Sequence, residues 1–154
     1  MSDFTDQSRI PSAKVNVLKL ATSAQLPQYE HADDSGLDLF AIEEKEILPG
    51  TAALIRTGIA IELPQGTEAQ IRPRSGLALK HGVTVLNTPG TVDAGYRGEV
   101  GVILINHGKE PFQVLPEMKI AQMVIAPVIH AQVVEVSSLS ESVRGEGGYG
   151  STGV

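Results

Sequence analysis

Short apolar runs separated by turn-forming residues restrict the fold of this sequence more than any other feature. The runs are rich in Val and Ile, as at 99–106 and 120–128, and clusters such as LPG (48–50) and TPG (88–90) stand between them. Many short strands at regular spacing are typical of a β-sandwich or barrel. No amphipathic segment is long enough for the crossover helices of an alternating α/β fold. The sequence therefore predicts an all-β domain.

The individual elements follow from the same pattern. The predicted strands are Val15–Leu20, Leu37–Ala41, Ala52–Ile55, Gly58–Leu63, Glu68–Arg72, Val83–Leu86, Glu99–Asn106, Phe112–Leu115, Ile120–Val128 and Val133–Val136. One helix is predicted over Ser75–His81, and Gly82 is expected to end it.

A chain of 154 residues is long enough for one domain with its own core. Residues 1–14 lack apolar periodicity and are predicted to be a flexible N-terminal segment. Residues 15–136 are predicted to form the β-domain. Residues 137–154 carry few core-forming residues and are predicted to be a flexible, glycine-rich C-terminal arm.

Composition excludes several function classes. The chain has no cysteine and four scattered histidines, so a metal site must be built from oxygen ligands, which favours Mg²⁺ or Ca²⁺. The net charge of −6 indicates no surface for nucleic acid or anionic lipid. There is no secretory signal pattern and no apolar stretch approaching the ~18 residues of a membrane span. We expect a soluble, cytoplasmic protein with no nucleic-acid or membrane partner.

Three carboxylates precede a predicted strand in DDSGLD (33–38). One interpretation is a solvated turn whose aspartates bind their own backbone. The other makes Asp38 a partner of a hard cation, directly or through water. The ligand spacing is not that of an EF-hand.

The segment RPRSGL (72–77) ends one strand and opens the predicted helix. Ser75 is either an N-cap or part of an anion site, and these two roles are compatible. Arg74 suits phosphate oxygens. Ser75 as a nucleophile is not favoured, because the segment is not G-x-S-x-G and no histidine is marked out as its base.

Two further segments have alternative interpretations. The long connection at 87–98 is either an Asp-rich turn or a functional hairpin that offers backbone groups, an aromatic ring and one carboxylate to a ligand. The tail RGEGGYGSTG (144–153) has the glycine spacing of a P-loop but lacks the lysine and the following helix. Its amide groups, together with Arg144, could fold over phosphates as a lid.

Taken together, five segments resemble the motifs of the homotrimeric dUTP pyrophosphatase (dUTPase) family, in the family's order. They are DSGLDLFA (34–41), PRSGLA (73–78), GTVDAGYRGE (90–99), KIAQM (119–123) and RGEGGYGSTG (144–153). Each motif is weak alone, whereas five in order are specific, and the likeness spans residues 15–153. It implies a distorted jelly-roll β-barrel that assembles as a homotrimer, with each active site shared by three subunits.

The resemblance also implies the chemistry and the site residues. Asp93 would be the general base that activates water for attack on the α-phosphorus of dUTP, and Asp38 would reach a magnesium ion through water. Tyr96 would pack on the deoxyribose and leave no room for a 2′-hydroxyl, and Tyr149 would stack on uracil. Uracil would be read by Asn87 and by the backbone of 91–93, including Thr91 and Val92. The phosphates would be held by Arg74, Ser75, Gly76, Gln122, Arg144, Gly150, Ser151 and Thr152.

The sequence departs from the usual family pattern in its fourth and fifth motifs. Tyr149 stands where phenylalanine is usual, and a phenol stacks equally well. Glu117 and Lys119 stand where glycine and arginine are common. Because lysine is a poorer bidentate partner, we expect a structural ion pair there to be altered.

Two alternatives remain open. A related deaminase acting on dCTP would need an additional acid–base glutamate, for which Glu99 is the candidate. A non-catalytic nucleotide-binding module would not need Asp93.

Overall fold

The computed structural model describes residues 11–149, which form ten strands and one short helix. The elements in chain order are β1 (Asn16–Lys19), β2 (Leu37–Phe40), β3 (Lys45–Ile47), β4 (Ala52–Glu62), β5 (Thr67–Arg72), α1 (Ser75–His81), β6 (Val83–Val85), β7 (Gly90–Asp93), β8 (Glu99–Asn106), β9 (Phe112–Val114) and β10 (Lys119–Pro127). The predicted all-β class is confirmed.

Two four-stranded antiparallel sheets and one two-stranded sheet build the domain. The first has the order β1-β4-β8-β6, the second β2-β10-β5-β7, and β3 pairs with β9. Eight strands in two sheets around one core is the arrangement of a jelly roll. In the second sheet, β10 lies between β2 and β5, and β7 pairs with the other side of β5. Segments that are distant in sequence therefore become adjacent.

Alternating burial produces the core. In β8, the side chains of Val100, Val102 and Leu104 are almost fully buried, while the residues between them are half-buried. This period of two is the signature of a strand with one face on the core. Ile55, Val114 and Ile120 from other strands complete the same cluster. The core therefore lies between the two large sheets and fixes the register of the strands that carry the polar site.

Most strand predictions are confirmed, and three points are corrected. The two strands predicted over 52–63 form one strand, β4, because Gly58 adopts φ +68° at a register shift and bends the strand without ending it. Strands β3 and β7 were missed, since each has only one large apolar residue. The strand predicted at Val133–Val136 is wrong: these residues pair with no strand in the described part of the chain, and Val133 is 92% exposed.

The helix begins and ends as predicted. Gly82 closes it in the left-handed conformation, with its amide donating to the Ala78 and Leu77 carbonyls. The N-cap interpretation of Ser75 is wrong, because Arg74 occupies that position and makes no side-chain capping bond. Within residues 11–149, no helix has the length and apolar character required to cross a bilayer.

Candidate active site

A polar pocket of about 270 Å³ lies where β2, β10 and the start of α1 meet. It combines acidic, basic and amide side chains with two glycines. Its lining residues are Glu30, His31, Asp34, Ser35, Gly36, Asp38, Arg74, Ser75, Gly76 and Gln122. Five of the residues predicted from the sequence (Asp38, Arg74, Ser75, Gly76 and Gln122) therefore lie together.

Sheet register brings these residues together. Gln122 of β10 lies opposite Asp38 of β2 on one side and opposite Arg72 of β5 on the other. Arg74 follows β5 by two residues, so it projects at the same end of the sheet. The three sequence motifs that contain Asp38, Arg74 and Gln122 are thus adjacent because their strands are neighbours.

Asp38 is the buried charge of the pocket, with 8% of its surface exposed. Its Oδ2 lies 2.8 Å from the Lys119 ammonium, and its Oδ1 lies 3.6 Å from Nε of Arg74. Arg74 also donates from Nη1 to the Lys119 carbonyl at 3.2 Å. Such partners offset the cost of taking a carboxylate out of water. The arrangement holds the Arg74 guanidinium at the pocket wall.

Lys119 replaces the arginine common in the fourth motif, and the ion pair is nevertheless formed. Its ammonium contacts both Asp38 and Glu30. These two hydrogen bonds to carboxylates raise the pKa of Lys119 above its ordinary value, the bond to Asp38 having the larger effect. The hydrogen bond from Lys119 correspondingly lowers the pKa of Glu30. In this chain the ion pair therefore includes two carboxylates.

Glu117, the other departure in the fourth motif, adopts φ +68°. This φ lies in the left-handed region, which glycine adopts without strain but which strains a residue with a Cβ atom. Its amide donates to the Ala41 carbonyl at 2.8 Å, which ties the turn to the end of β2. The preference for glycine at this position therefore has a backbone cause and no link to the pocket.

Gly36 is required where the pocket wall meets Gln122. A Cβ at Gly36 would lie 2.3 Å from the side-chain oxygen of Gln122. The Gln122 amide is fixed from its other end, because Nε2 donates to the Pro73 carbonyl at 2.9 Å. Gly36 lets β2 approach Gln122, so the amide is held in one orientation beside the pocket.

The donor set suits a metal only in part. Among residues 11–149, no three His, Asp or Glu side chains are placed to hold an ion by themselves. Magnesium is commonly held by one or two carboxylates together with substrate phosphates and water. The Asp38 carboxylate fits that mode, since a phosphate-bearing ligand in the pocket would supply the remaining oxygens.

The predicted base-reading hairpin begins with β7 and continues as a tight turn. The Tyr96 amide donates to the Asp93 carbonyl at 3.0 Å, and the Arg97 guanidinium donates to the Ala94 carbonyl at 2.7 Å. Asp93 ends the strand with an exposed side chain. These bonds hold the turn in one conformation and leave the Asp93 side chain exposed.

Tyr96 lies folded back over the hairpin. Its hydroxyl donates to the Glu99 carbonyl at 3.1 Å, and 47% of the residue is exposed. A Cβ at Gly98 would lie 2.3 Å from that hydroxyl. Gly98 therefore makes room for the phenol ring, and about half of the Tyr96 surface remains open to solvent.

The hairpin and the pocket lie at opposite ends of β5. Asp93 pairs with Glu68 at one end of this strand, and Arg72 stands at the other end, opposite Gln122. Four residues of strand span about 13 Å. One chain therefore does not bring Asp93 close to Arg74. The side chain of Asn87 does lie near the hairpin, against Gly90, and Thr91 and Val92 belong to β7 itself.

The described part of the arm after β10 contributes no residue to the pocket lining. Its amide at Val128 donates to the Gly66 carbonyl, and Arg144 donates to the Gly147 carbonyl at 2.8 Å within the arm itself. Tyr149 is fully exposed. Gly150, Ser151 and Thr152 lie outside the described residues. The structure thus leaves Arg144 and Tyr149 apart from the pocket of their own chain.

Six residues of these two regions were not predicted from the sequence. Five line the pocket and one, Gly98, accommodates Tyr96; the five are Glu30, His31, Asp34, Ser35 and Gly36. Glu30 and His31 stand outside the five motifs, so no local pattern marks them. Gly98 lies inside the third motif, but only the position of the Tyr96 ring shows why it is needed.

The fold and the pocket define a class: an all-β, jelly-roll domain with an ion-paired pocket suited to phosphate groups. Comparison with known proteins gives the particular family. Residues 22–153 match the family model described as dUTPase. The chain is 70% identical over 141 residues to the deoxyuridine 5′-triphosphate nucleotidohydrolase of Gloeothece citriformis, covering 92% of this chain and 97% of that protein. It is 66% identical over 140 residues to the protein of the same name from Clostridium tetani, covering 91% and 95%.

Solved structures agree with the sequence relatives. A dUTPase of Staphylococcus bacteriophage 80alpha, determined with dUpNHpp, superposes with a TM-score of 0.85 at 27% identity, covering 92% of this chain and 99% of that one. A dUTPase from phage phi11 of S. aureus, described with a structural Mg(II) ion, has a TM-score of 0.78 at 25% identity, covering 83% and 99%. The chain belongs to the dUTPase family.

Proposed function

We propose that this protein hydrolyses dUTP to dUMP and pyrophosphate. The observation that carries the proposal is the pocket in which Asp38, Arg74 and Gln122 meet, because strands from three dUTPase motifs build it together. The identity of 70% to a named deoxyuridine 5′-triphosphate nucleotidohydrolase supports the same activity. Removal of dUTP would keep uracil out of DNA and supply the precursor of dTMP, so we assign a cytoplasmic location, where DNA precursors are made.

Asp93 is the proposed general base. Its exposed carboxylate stands at the end of β7, on the hairpin that would hold the nucleoside. It would accept a proton from water while the water oxygen bonds to the α-phosphorus in line. The bond from that phosphorus to the bridging oxygen breaks, and pyrophosphate leaves with the electron pair. Positioning and charge neutralisation account for most of the catalysis of such transfers.

The pocket is the proposed phosphate site. Arg74 would donate to phosphate oxygens, since Asp38 and the Lys119 carbonyl already orient its guanidinium. The Gln122 amide and the groups of Ser75 and Gly76 face the same pocket. Asp38 would help to hold Mg²⁺ through water, and the ion would supply positive charge to neutralise the phosphates.

The hairpin is the proposed nucleoside site. The backbone of Thr91 and Val92 and the side chain of Asn87 would read the edge of uracil, and the narrow hairpin would exclude the methyl group of thymine. The exposed face of Tyr96 would pack on the deoxyribose, where a 2′-hydroxyl would collide with the ring. Steric rejection of this kind discriminates without added attraction.

A homotrimer with shared sites is the proposed assembly. The separation of about 13 Å along β5 between the levels of Asp93 and Arg72 supports a hairpin from one chain meeting the pocket of another. The arm supports a third contribution: Ile129, Val133 and Leu139 expose 88–94% of their surface, which favours a neighbouring chain as their partner. Arg144, Tyr149, Gly150, Ser151 and Thr152 would then close over a neighbour's nucleotide.

The activity is tested by measuring pyrophosphate release from a panel of nucleoside triphosphates with magnesium. We expect turnover of dUTP and little turnover of dTTP, dCTP or UTP. The proposal fails if dUTP is not hydrolysed, and ammonia release from dCTP would identify a deaminase instead. The deaminase interpretation gains no support from Glu99, because its carboxylate accepts the Gly58 amide at 2.8 Å and pairs with Arg56 at 3.2 Å.

Sharing of the site is tested by complementation. Asp93→Asn protein and protein lacking residues 143–154 are each expected to be inactive. Refolded together in equal amounts, they form mixed trimers in which a site needs its hairpin from one variant and its arm from the other. Random assortment restores about a quarter of the sites in a symmetric ring. Zero recovery, with mixed trimers confirmed by mass spectrometry, would show that hairpin and arm come from the same chain.

A further inference from the structure

Glu30 occupies a position at the pocket that the proposed reaction does not use. It lies in the connection between β1 and β2, 89 residues from Lys119 in sequence, and its carboxylate contacts the Lys119 ammonium on β10. The connection carries four further pocket residues, His31, Asp34, Ser35 and Gly36. It therefore forms one wall of the phosphate pocket.

Few bonds attach this wall to the rest of the domain. The Asp38 amide donates to the Gln28 carbonyl at 2.8 Å, which fixes the two ends of the connection to each other. Between these ends, His31 and Asp34 bond mainly to one another, the His31 amide donating to Oδ2 of Asp34 at 2.8 Å. Residues 29–35 are all exposed. Among the described residues, the ion pair of Glu30 with Lys119 is the side-chain hydrogen bond that joins residues 29–35 to β10.

Lys119 is suited to this link because its ammonium has three donors on a flexible stem. One donor reaches Oδ2 of Asp38 at 2.8 Å, and another reaches Glu30. An arginine would use its planar fork on one carboxylate, whereas the lysine bridges two. The other oxygen of Asp38 remains directed at Arg74, 3.6 Å away.

We infer that Glu30 is a positioning residue: its ion pair with Lys119 is a clasp that holds residues 29–36 against β10 and so shapes the phosphate pocket. This inference rests on the proposed function of that pocket. The clasp acts before any ligand binds, because it lies within one chain and involves no phosphate-binding group directly. It should therefore affect binding of the triphosphate more than the chemical step.

The test measures steady-state kinetics with dUTP and backbone hydrogen exchange of the ligand-free protein. Glu30→Ala should raise the KM for dUTP about threefold, the size typical of a partly exposed ion pair, while kcat changes by less than twofold. Exchange of the amides at 29–36 should become faster, whereas exchange in the core strand β8 should stay unchanged. Glu30→Gln, which keeps an acceptor but loses the charge, should lie between Glu30→Ala and the wild type.

Two controls separate the clasp from a general loss of stability. Glu44→Ala removes another exposed glutamate, which accepts a hydrogen bond from Gln113 of β9 at 3.1 Å and does not line the pocket; its KM and its exchange at 29–36 should match the wild type. In a Lys119→Met background, Glu30→Ala should have no further effect on either measurement, because the clasp is already broken.

Three results would overturn the inference. A KM that falls in Glu30→Ala would mean that the carboxylate mainly repels the phosphates, and unchanged exchange at 29–36 would mean that the wall is held by other contacts. The clasp is also refuted if Glu30→Ala has the same effect in the Lys119→Met background as in the wild type. If the wild type fails to hydrolyse dUTP, the proposed function fails, and the exchange experiment still decides whether the clasp exists.

Discussion

Replacement of Gly98 by alanine tests how the hairpin selects its sugar. A Cβ at this position would lie 2.3 Å from the Tyr96 hydroxyl oxygen and 2.5 Å from Cζ of the ring. Carbon atoms in ordinary contact are about 3.5–4.0 Å apart. The ring must therefore retreat by about 1 Å or more, or leave for another rotamer. The hairpin backbone is held by its own hydrogen bonds, so the movement falls on the side chain.

The cost in stability is small, since the effects oppose each other. Moving the ring breaks the bond from Tyr96 to the Glu99 carbonyl, a loss of about 0.5–1.5 kcal/mol. Replacing glycine by alanine reduces the entropy of the unfolded chain, a gain of about 0.4–1 kcal/mol. The variant should remain folded, with its free energy of unfolding within about 1 kcal/mol of the wild type. The main effect should be on specificity.

The assay measures the ratio of kcat/KM for dUTP to kcat/KM for UTP, which expresses the preference for deoxyribose over ribose. A site that rejects one added hydroxyl by shape discriminates by about 10²-fold. Gly98→Ala should lower this ratio about tenfold, mainly by improving UTP, as Tyr96→Ala should. Gly95→Ala is the matched control, because a Cβ at Gly95 meets no atom within 4 Å, and it should keep the wild-type ratio.

Displacement of the Tyr96 ring by the new methyl group is refuted if Gly98→Ala keeps the wild-type preference for dUTP while Tyr96→Ala loses it. That result would mean that the ring tolerates the new methyl group without moving. A wild type that hydrolyses UTP as well as dUTP would instead remove the sugar-selecting role of Tyr96 itself. Loss of folding in Gly98→Ala, seen as a collapsed melting transition, would contradict the estimated balance of free energies.

Three further predictions concern the base, the arm and the fourth motif. Asp93→Asn should lower turnover about 10²–10⁴-fold, whereas calorimetric titration should still show dUTP binding. Near-normal turnover would contradict the role of Asp93 as the general base. Removal of residues 143–154 should abolish most activity but shift the melting temperature by less than about 2 °C. The reason is that the described arm has no strand and few contacts with the barrel. A large drop in the melting temperature would show that the arm stabilises the fold. Glu117→Gly should raise the free energy of unfolding by about 0.5–1 kcal/mol, because it relieves a left-handed φ of +68°. The control Glu110→Gly, at an exposed position outside that region, should lower it by about 0.4–1 kcal/mol in denaturant titration, and equal effects would exclude the backbone explanation.

The strands that alternate between apolar and polar residues could be predicted from the sequence. β8 was found with its bounds, because a buried face every second residue leaves a local signal. β3 and β7 could not be found, because their pairing with β9 and β5 compensates for weak local preferences. Val133–Val136 shows the reverse case, since strand-forming residues without a partner strand remain unpaired in this chain.

The same division holds for the site. The local composition of their segments marked Asp38 and Arg74, whereas Gln122 came only from the family resemblance, which also gave all three their expected roles. Glu30 could not be found, because its importance lies in a contact with Lys119, 89 residues away. Gly98 belongs to a recognised motif, but its function depends on where the Tyr96 ring lies.

The sequence by itself determined the fold class, the family resemblance and half of the residues of the pocket, because these depend on periodicity and on short, ordered motifs. Tertiary structure alone decided that Lys119 bridges Asp38 and Glu30, and that Asp93 and Arg74 lie at opposite ends of β5. Strand order and register set such distances, and register is a property of paired strands. Neither strand encodes it alone.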